Sequence, residues 1–290
     1  MNKRLVLLGM LFLLCSGAPT YAQKWSLKLG TGIGYASGGD FSAGVRGLSD
    51  YAKFLYSDLD GEFRPPHLAA DIVAGEVIVY VRPRIGFGIG AGFFQLARSS
   101  ELTYSLGDAP VREKLRPVFS AVPIQANVHY RIPLTARLNL DVNAGVSYLL
   151  AKVTWQWEQT LAFGSYQYTF SDRFTYTARR GGLGFQAGVS IEYPLSTRIG
   201  LFLQVSGRVV TIKAIKGSWT EQGGDGTYNF NETATNQKAW YYDWETNAAS
   251  YGQIVFQETQ PASPTFRNVR EARLNLSGVG AILGIKIRIT

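Results

Sequence analysis

His67 and His129 are the only histidines of this 290-residue chain, and Cys15 is its only cysteine. A structural zinc site wants about four such ligands, so no metal is expected. The chemistry that one histidine could serve is a Ser/His/acid hydrolysis. His129 stands near a short turn, the wrong end for a site facing an outer leaflet. A histidine hydrogen-bonded to its neighbours is the favoured reading. Two glycine series, Gly30-Thr-Gly32-Ile-Gly34 and Gly86-Phe-Gly88-Ile-Gly90, look like phosphate loops. Their spacing is G-x-G-x-G, and no helical period follows, so nucleotide binding is not expected.

The remaining chemistry lies in sparse ionisable residues on alternating segments. Asp141, Glu192 and, if its strand keeps register, Glu76 share one face with Lys28, Arg131, Arg208 and Lys286. On one interior these residues would form a network of buried ion pairs that must satisfy one another. The other reading of the same set is a narrow gated conduit. No catalytic, cofactor-binding or metal-binding residue is assigned, and no cofactor is expected.

The segments that position these residues have a period of two. Trp25, Leu27, Leu29, Ile33 and Tyr35 alternate with glycine and lysine. Leu138 to Leu150 alternates apolar residues with Asn139, Asp141, Asn143, Gly145 and Ser147. The same pattern recurs over Ile85–Phe93, Ile124–Arg131, Leu183–Tyr193, Ile199–Ser206 and Val279–Ile289. Ala69–Val81 is apolar on both faces in places. The spacing predicts eight strands, several of about ten residues, the length that crosses a bilayer at a tilt. Connections alternate between short turns at 82–84, 133–137 and 194–198 and long segments at 38–67, 98–117, 152–180 and 214–271. That alternation is the plan of a transmembrane barrel.

The N-terminus reads as a signal peptide over residues 1–22. Lys3 and Arg4 precede the apolar run Leu5–Leu14, and Thr20-Tyr21-Ala22 suits cleavage before Gln23. Residues 23–290 are then one barrel domain without cysteine. The net charge of +8 includes no basic cluster that would bind nucleic acid.

Alternation alone does not say which face points outward. The polar face is mostly Gly, Ser, Asn and Gln, which suits a narrow interior better than a water-washed wall. Trp25, Tyr130 and Tyr193 sit on the apolar face beside the short turns, with Tyr35 and Tyr148 toward the long segments. Amphipathic rings favour a bilayer boundary. The expected fold is therefore all-β, an eight-stranded antiparallel up-and-down transmembrane β-barrel with long extracellular loops. The loops carry aromatic groups, Trp155-Gln-Trp157, Tyr166-Gln-Tyr168-Thr-Phe170, Phe174-Thr-Tyr176 and Trp240-Tyr-Tyr-Asp-Trp244. Packing of the outer ribbons is one role for them, and contact with glycan, lipid or protein is the other.

In this architecture the chain resembles the small eight-stranded outer-membrane barrels, the OmpA membrane domain, OmpX and OmpW. Gly284, Ile287 and Ile289 match the group's C-terminal strand signal, while Ile282 and Thr290 depart from it. The resemblance implies a bacterial outer-membrane location with both termini periplasmic. It also implies insertion by the barrel-insertion machinery, contact with outer-membrane lipid, and a monomer. A structural or surface-interaction role follows, with no catalysis. The resemblance to OmpW implies the alternative, passive transport of small apolar molecules. A lipid-modifying enzyme is the third class.

Overall fold

The computed structural model describes residues 24–135, 137–163, 168–225, 227–247 and 249–289. The signal-peptide segment lies outside the described residues. In chain order the elements are β1 (Lys24–Ala36), α1 (Asp40–Leu55), β2 (Asp60–Gly61), β3 (Leu68–Tyr80), β4 (Ile85–Ala97) and β5 (Ser100–Leu106). The three longest strands follow, β6 (Ala109–Thr135), β7 (Leu138–Phe163) and β8 (Tyr168–Pro194). The rest are β9 (Ile199–Ile212), β10 (Lys216–Gly224), β11 (Asn229–Glu245), β12 (Ser250–Gln257), β13 (Phe266–Glu271), β14 (Leu274–Asn275) and β15 (Gly278–Ile289).

The expected count of eight strands is corrected to fifteen among the described residues. β1 pairs with β3, and antiparallel pairings run on through β4, β6, β7, β8, β9 and β15 back to β1. The sheet therefore closes on itself, and these strands have no open edge in the barrel wall. Of the other seven strands, six come from segments that the sequence pattern reads as loops, and β14 follows the last of them. β10 pairs with the outer half of β8, β11 with β10, and β12 and β13 with β11. β5 folds back on β6.

The length of β6, β7 and β8 explains the difference. They run for 27, 26 and 27 residues, or roughly 90 Å at about 3.3 Å per residue. No bilayer needs that span. The aromatic segments at 152–180 are the outward continuation of β7 and β8 as one ribbon, paired without a slip from Asn139↔Glu192 to Phe163↔Tyr168.

The helix α1 is a second correction, since its residues were expected to form a loop. Phe41, Val45, Leu48 and Ala52 recur at helical spacing, and Phe41, Val45 and Ala52 are buried. Phe41 enters between Phe119 and Trp155, with ring centroids 5.7 and 6.3 Å apart. Gly47 is required by close approach, because a Cβ there would overlap the carbonyl oxygen of Gly252 on β12. The helix start is tied down by Asp40, which accepts from Arg270 at 2.8 Å and from the backbone N–H of Arg273 at 2.9 Å. Arg270 lies over the Tyr241 ring at 4.4 Å. Burial, with the neighbouring Asp243 carboxylate, pushes the Tyr241 hydroxyl up to about 12.

Along the strands the two faces exchange their chemistry. On β7 the inward residues are Asp141, Asn143, Gly145 and Ser147, and then Leu149, Ala151, Val153 and Trp155. Its outward residues run the other way. Val142, Val146, Tyr148 and Leu150 are exposed, and Lys152, Thr154, Gln156 and Glu158 follow. β6 changes at Val122, and β8 at Gly181. Near the turns the barrel is polar inside and apolar outside. Beyond the change it has an apolar core, including Phe94, Phe119, Leu149, Tyr176 and Ile212, under a polar surface.

Candidate functional site

The polar half of the interior gathers most of the charges that the alternation placed there. Lys286 Nζ on β15 donates to both carboxylate oxygens of Glu192 on β8, at 2.6 and 2.9 Å. Lys28 Nζ on β1 lies 3.2 Å from Glu192 and 3.6 Å from Asp141, and donates to Ser190 Oγ at 3.0 Å. His129 on β6 faces Asp141 through Nδ1 at 2.7 Å and Glu76 through Nε2 at 3.0 Å. Two acceptors on one ring require a proton on each nitrogen, or a proton on one of the carboxyls. Asn127 donates to the same Glu76 oxygen at 2.7 Å.

Small residues on the facing strands make this density possible. A Cβ on Gly88 would stand 2.8 Å from His129 Nε2 and would overlap Glu76 Oε1. The glycine series that looks like a phosphate loop is thus the space into which the ion cluster folds.

Tyr80 was not singled out in the sequence, yet it joins the cluster. Its hydroxyl donates to Asp141 at 3.1 Å and accepts from Lys286 at 3.0 Å. Arg131 lies over its ring at 4.0 Å and 3.8 Å from Glu192. An aromatic at the end of a strand gives no sign in sequence that its hydroxyl turns inward.

Arg208 was expected in this cluster but sits further along the lumen. Its guanidinium lies over Phe94 at 4.1 Å and donates to the carbonyl of Leu276 at 3.3 Å. Between Arg208 and the ion cluster lies a chamber of about 80 Å³, lined on one side by Gln125, Asn143, Gln186 and Gln204 and on the other by apolar residues that include Phe93, Pro123 and Ile282. At about 10–15 Å³ each, it has room for a handful of waters. Asn143 Nδ2 is buried there without a protein partner. Gln186 donates to Gln125 at 2.5 Å and to Asn127 at 2.8 Å.

The wall beside the chamber is irregular. β3 has a bulge between Asp71 and Val73. Between β4 and β6, Ala91 pairs with Ile124 and Phe94 with Ala121, with no pairing of the residues between. Pro123, which falls in that gap, has no N–H to give.

His67 lies far from His129 in the fold and stacks on Tyr35 with ring centroids 5.3 Å apart. Among the described residues, four of the loop aromatics are buried. Tyr176 stacks on Phe256 at 3.9 Å, and Trp155, Trp240 and Tyr241 are buried. Tyr166 lies outside the described residues.

The fold and this interior define a closed β-barrel with an ion-filled lumen and an apolar outer wall. No protein-family model matches the sequence, and no curated protein does. Three solved structures share some of the layout. A major outer membrane protein from Thermus thermophilus is 14% identical with a TM-score of 0.33, over 93% of this chain and 100% of that one. The outer membrane protease OmpT from Escherichia coli is 11% identical with a TM-score of 0.34, over 93% and 98%. A Pseudomonas aeruginosa FadL homologue is 7% identical with a TM-score of 0.15, over 92% and 89%. None singles out the OmpA, OmpX and OmpW group. At such scores these likenesses carry no argument about function.

Proposed function

We propose that this chain is an integral protein of a bacterial outer membrane, a closed and non-conducting barrel with a structural or surface-contact role. One observation carries the reading, the exchange of inward and outward chemistry at one level of β6, β7 and β8. A strand with apolar residues outward over Leu140–Leu150 and polar residues beyond matches lipid below and water above. Ten steps of about 3.4 Å at a tilt of about 45° give roughly 24 Å, the height of the apolar band in such barrels. Trp25, Tyr130 and Tyr193 mark one rim of that band, and Tyr35 and Tyr148 the other. Lys24 and Ile289, the first and last described residues, lie at the turn end, so that end would be periplasmic, with the ribbons outside. The barrel would be inserted by the barrel-insertion machinery and work as a monomer without cofactor or catalysis.

The lumen is occupied twice over, by the ion cluster near the turns and by the apolar core under α1. An unboiled sample from the outer-membrane fraction should migrate differently from a boiled one, and planar bilayers should show no current steps. A soluble periplasmic protein without the shift would contradict the membrane half of the reading, and steady channels the non-conducting half.

The gap beside Pro123 supports a second reading, sideways passage of small apolar molecules into the membrane. The apolar side of the chamber, Phe93, Pro123 and Ile282, fits that passage, while its amide side and the ion cluster beyond it count against it. Phe93→Ala should then raise uptake of an apolar solute into vesicles several-fold.

A further inference from the structure

A groove of about 410 Å³ runs along the outer face of β6, β7 and β8 where their chemistry changes. Val122, Leu150 and Gly181 line it on the apolar side, and Lys152, Arg179 and Arg180 on the polar side. Gly181 keeps its floor flat, since a Cβ there would overlap the Tyr148 hydroxyl.

The charges are arranged against the ordinary logic of a strand pair. Lys152 and Arg179 are direct cross-strand partners, and like charges so placed repel. Further out on the same two strands, Glu158 is the partner of Arg173, and the two form an ion pair at 2.8 Å. Nothing comparable relieves the inner pair. No acidic residue occurs over Arg116–Val122, Tyr148–Trp157 or Phe174–Phe185. Among the described residues Lys152, Arg179 and Arg180 make no ion pair. Lys152 and Arg179 thus stand together at the edge of an apolar trough, with Arg180, the partner of Ala151 on the alternate face of β8, next in the chain.

We infer that this groove binds an outer-leaflet lipid whose phosphate sits directly above its acyl chains, with a chain along Val122 and Leu150 and the phosphate held by Lys152 and Arg179, the neighbouring Arg180 adding its charge. The inference rests on the membrane reading above. Guanidinium forks match phosphate oxygens in pairs, and the anion would turn a repulsive cross-strand pair into a shared attraction. The trough and the cations sit at one level only, so the ligand must be apolar and anionic within one headgroup's height. A phosphorylated glycolipid meets that requirement.

Native mass spectrometry of the detergent-solubilised full chain tests this with an acylated disaccharide carrying two phosphates, against the same lipid without them. Wild type should retain the phosphorylated lipid about tenfold or more over its counterpart. The variant Lys152→Gln/Arg179→Gln/Arg180→Gln should lose that preference while keeping its heat-modifiable band. Should the triple variant fail to fold, Arg179→Gln alone should cut the preference at least about threefold. The control Arg112→Gln/Arg173→Gln, which removes cations paired elsewhere, should keep it. Equal retention of both lipids by an inserted wild type would overturn the site, as would equal loss in the control or displacement by millimolar inorganic phosphate. A wild type that does not enter phosphatidylcholine vesicles would instead overturn the membrane reading.

Discussion

Lys28 Nζ lies 3.2 Å from Glu192 Oε1, although β1 and β8 stand three strands apart around the ring. The pair therefore crosses the lumen. With Lys286 bonded to the same carboxylate and Asp141 3.6 Å from Lys28, four strands are tied through one ion cluster. In this barrel the charges replace the apolar core that a soluble domain would place at its centre. The apolar core lies further out, under α1.

Removing Lys286 takes from buried Glu192 its two shortest bonds and leaves it only Lys28 at 3.2 Å and Arg131 at 3.8 Å. Lys286→Met should destabilise the barrel by about 3–5 kcal/mol. Adding Glu192→Gln should recover part of that loss, because the carboxylate left short of a cation goes with it. Urea unfolding in micelles, followed by the heat-modifiable band, measures both. A loss under about 1 kcal/mol for the single variant would mean that the cluster is hydrated and weakly coupled.

Gly88 and Gly207 should respond in opposite ways to the same change. Gly88→Ala puts a methyl against Glu76 and His129 and should break their contact, with a loss of about 1–3 kcal/mol. A Cβ on Gly207 finds its nearest neighbour, the Gly278 carbonyl oxygen, 3.9 Å away. Gly207→Ala should therefore be neutral or slightly stabilising. Equal losses in the same unfolding assay would contradict the packing of the lumen.

The outer ribbon should have its own pH dependence. Burial, with Asp172 and Glu232 nearby, raises the Glu221 carboxyl above its ordinary value. A raised carboxyl keeps its proton longer in the folded chain. Its penalty is absent at low pH, begins as pH rises through the ordinary carboxylate value, and is complete above the raised one. Glu221→Gln should therefore increase hydrogen-exchange protection over Lys216–Glu245 at about pH 7 and change little at about pH 4. A gain at low pH alone would reverse the sign and refute it.

Helix α1 should loosen when its start is released. Asp40→Ala removes the acceptor of Arg270 and of the Arg273 N–H, a loss of about 1–2 kcal/mol at a partly exposed site. Hydrogen exchange over Phe41–Ala52 should rise while β6 and β7 stay protected. Unchanged exchange in the helix would show that its packing on β12 suffices.

The barrel wall was legible in the sequence because a half-buried strand writes its two faces at period two. That pattern placed Lys28, Glu76, Arg131, Asp141, Glu192 and Lys286 on one interior. It put Arg208 on the same interior but not at its level, since the level at which a lumen changes from polar to apolar depends on strand register. The outward run of β7 and β8 as a ribbon was legible in the renewed alternation of Trp155, Trp157, Phe174 and Tyr176, but β10, β11 and β12, which cover that face and turn it inward, were not. The helix was missed although its period is present, because Gly44 and Gly47 lower its helical propensity. Those glycines serve the close contact with Ile254 and Gly252.

The central claim is that the apolar wall near the turns faces lipid. Leu203 is 51% exposed on that wall, between Ile191 and Leu283 on the neighbouring strands. A fluorophore on Leu203→Cys, with the barrel reconstituted in bilayers, should be strongly quenched by lipids brominated on their acyl chains and hardly at all by iodide in the buffer. Strong iodide quenching, with no response to the brominated chains, would mean that this face is washed by water, and the membrane barrel would be wrong.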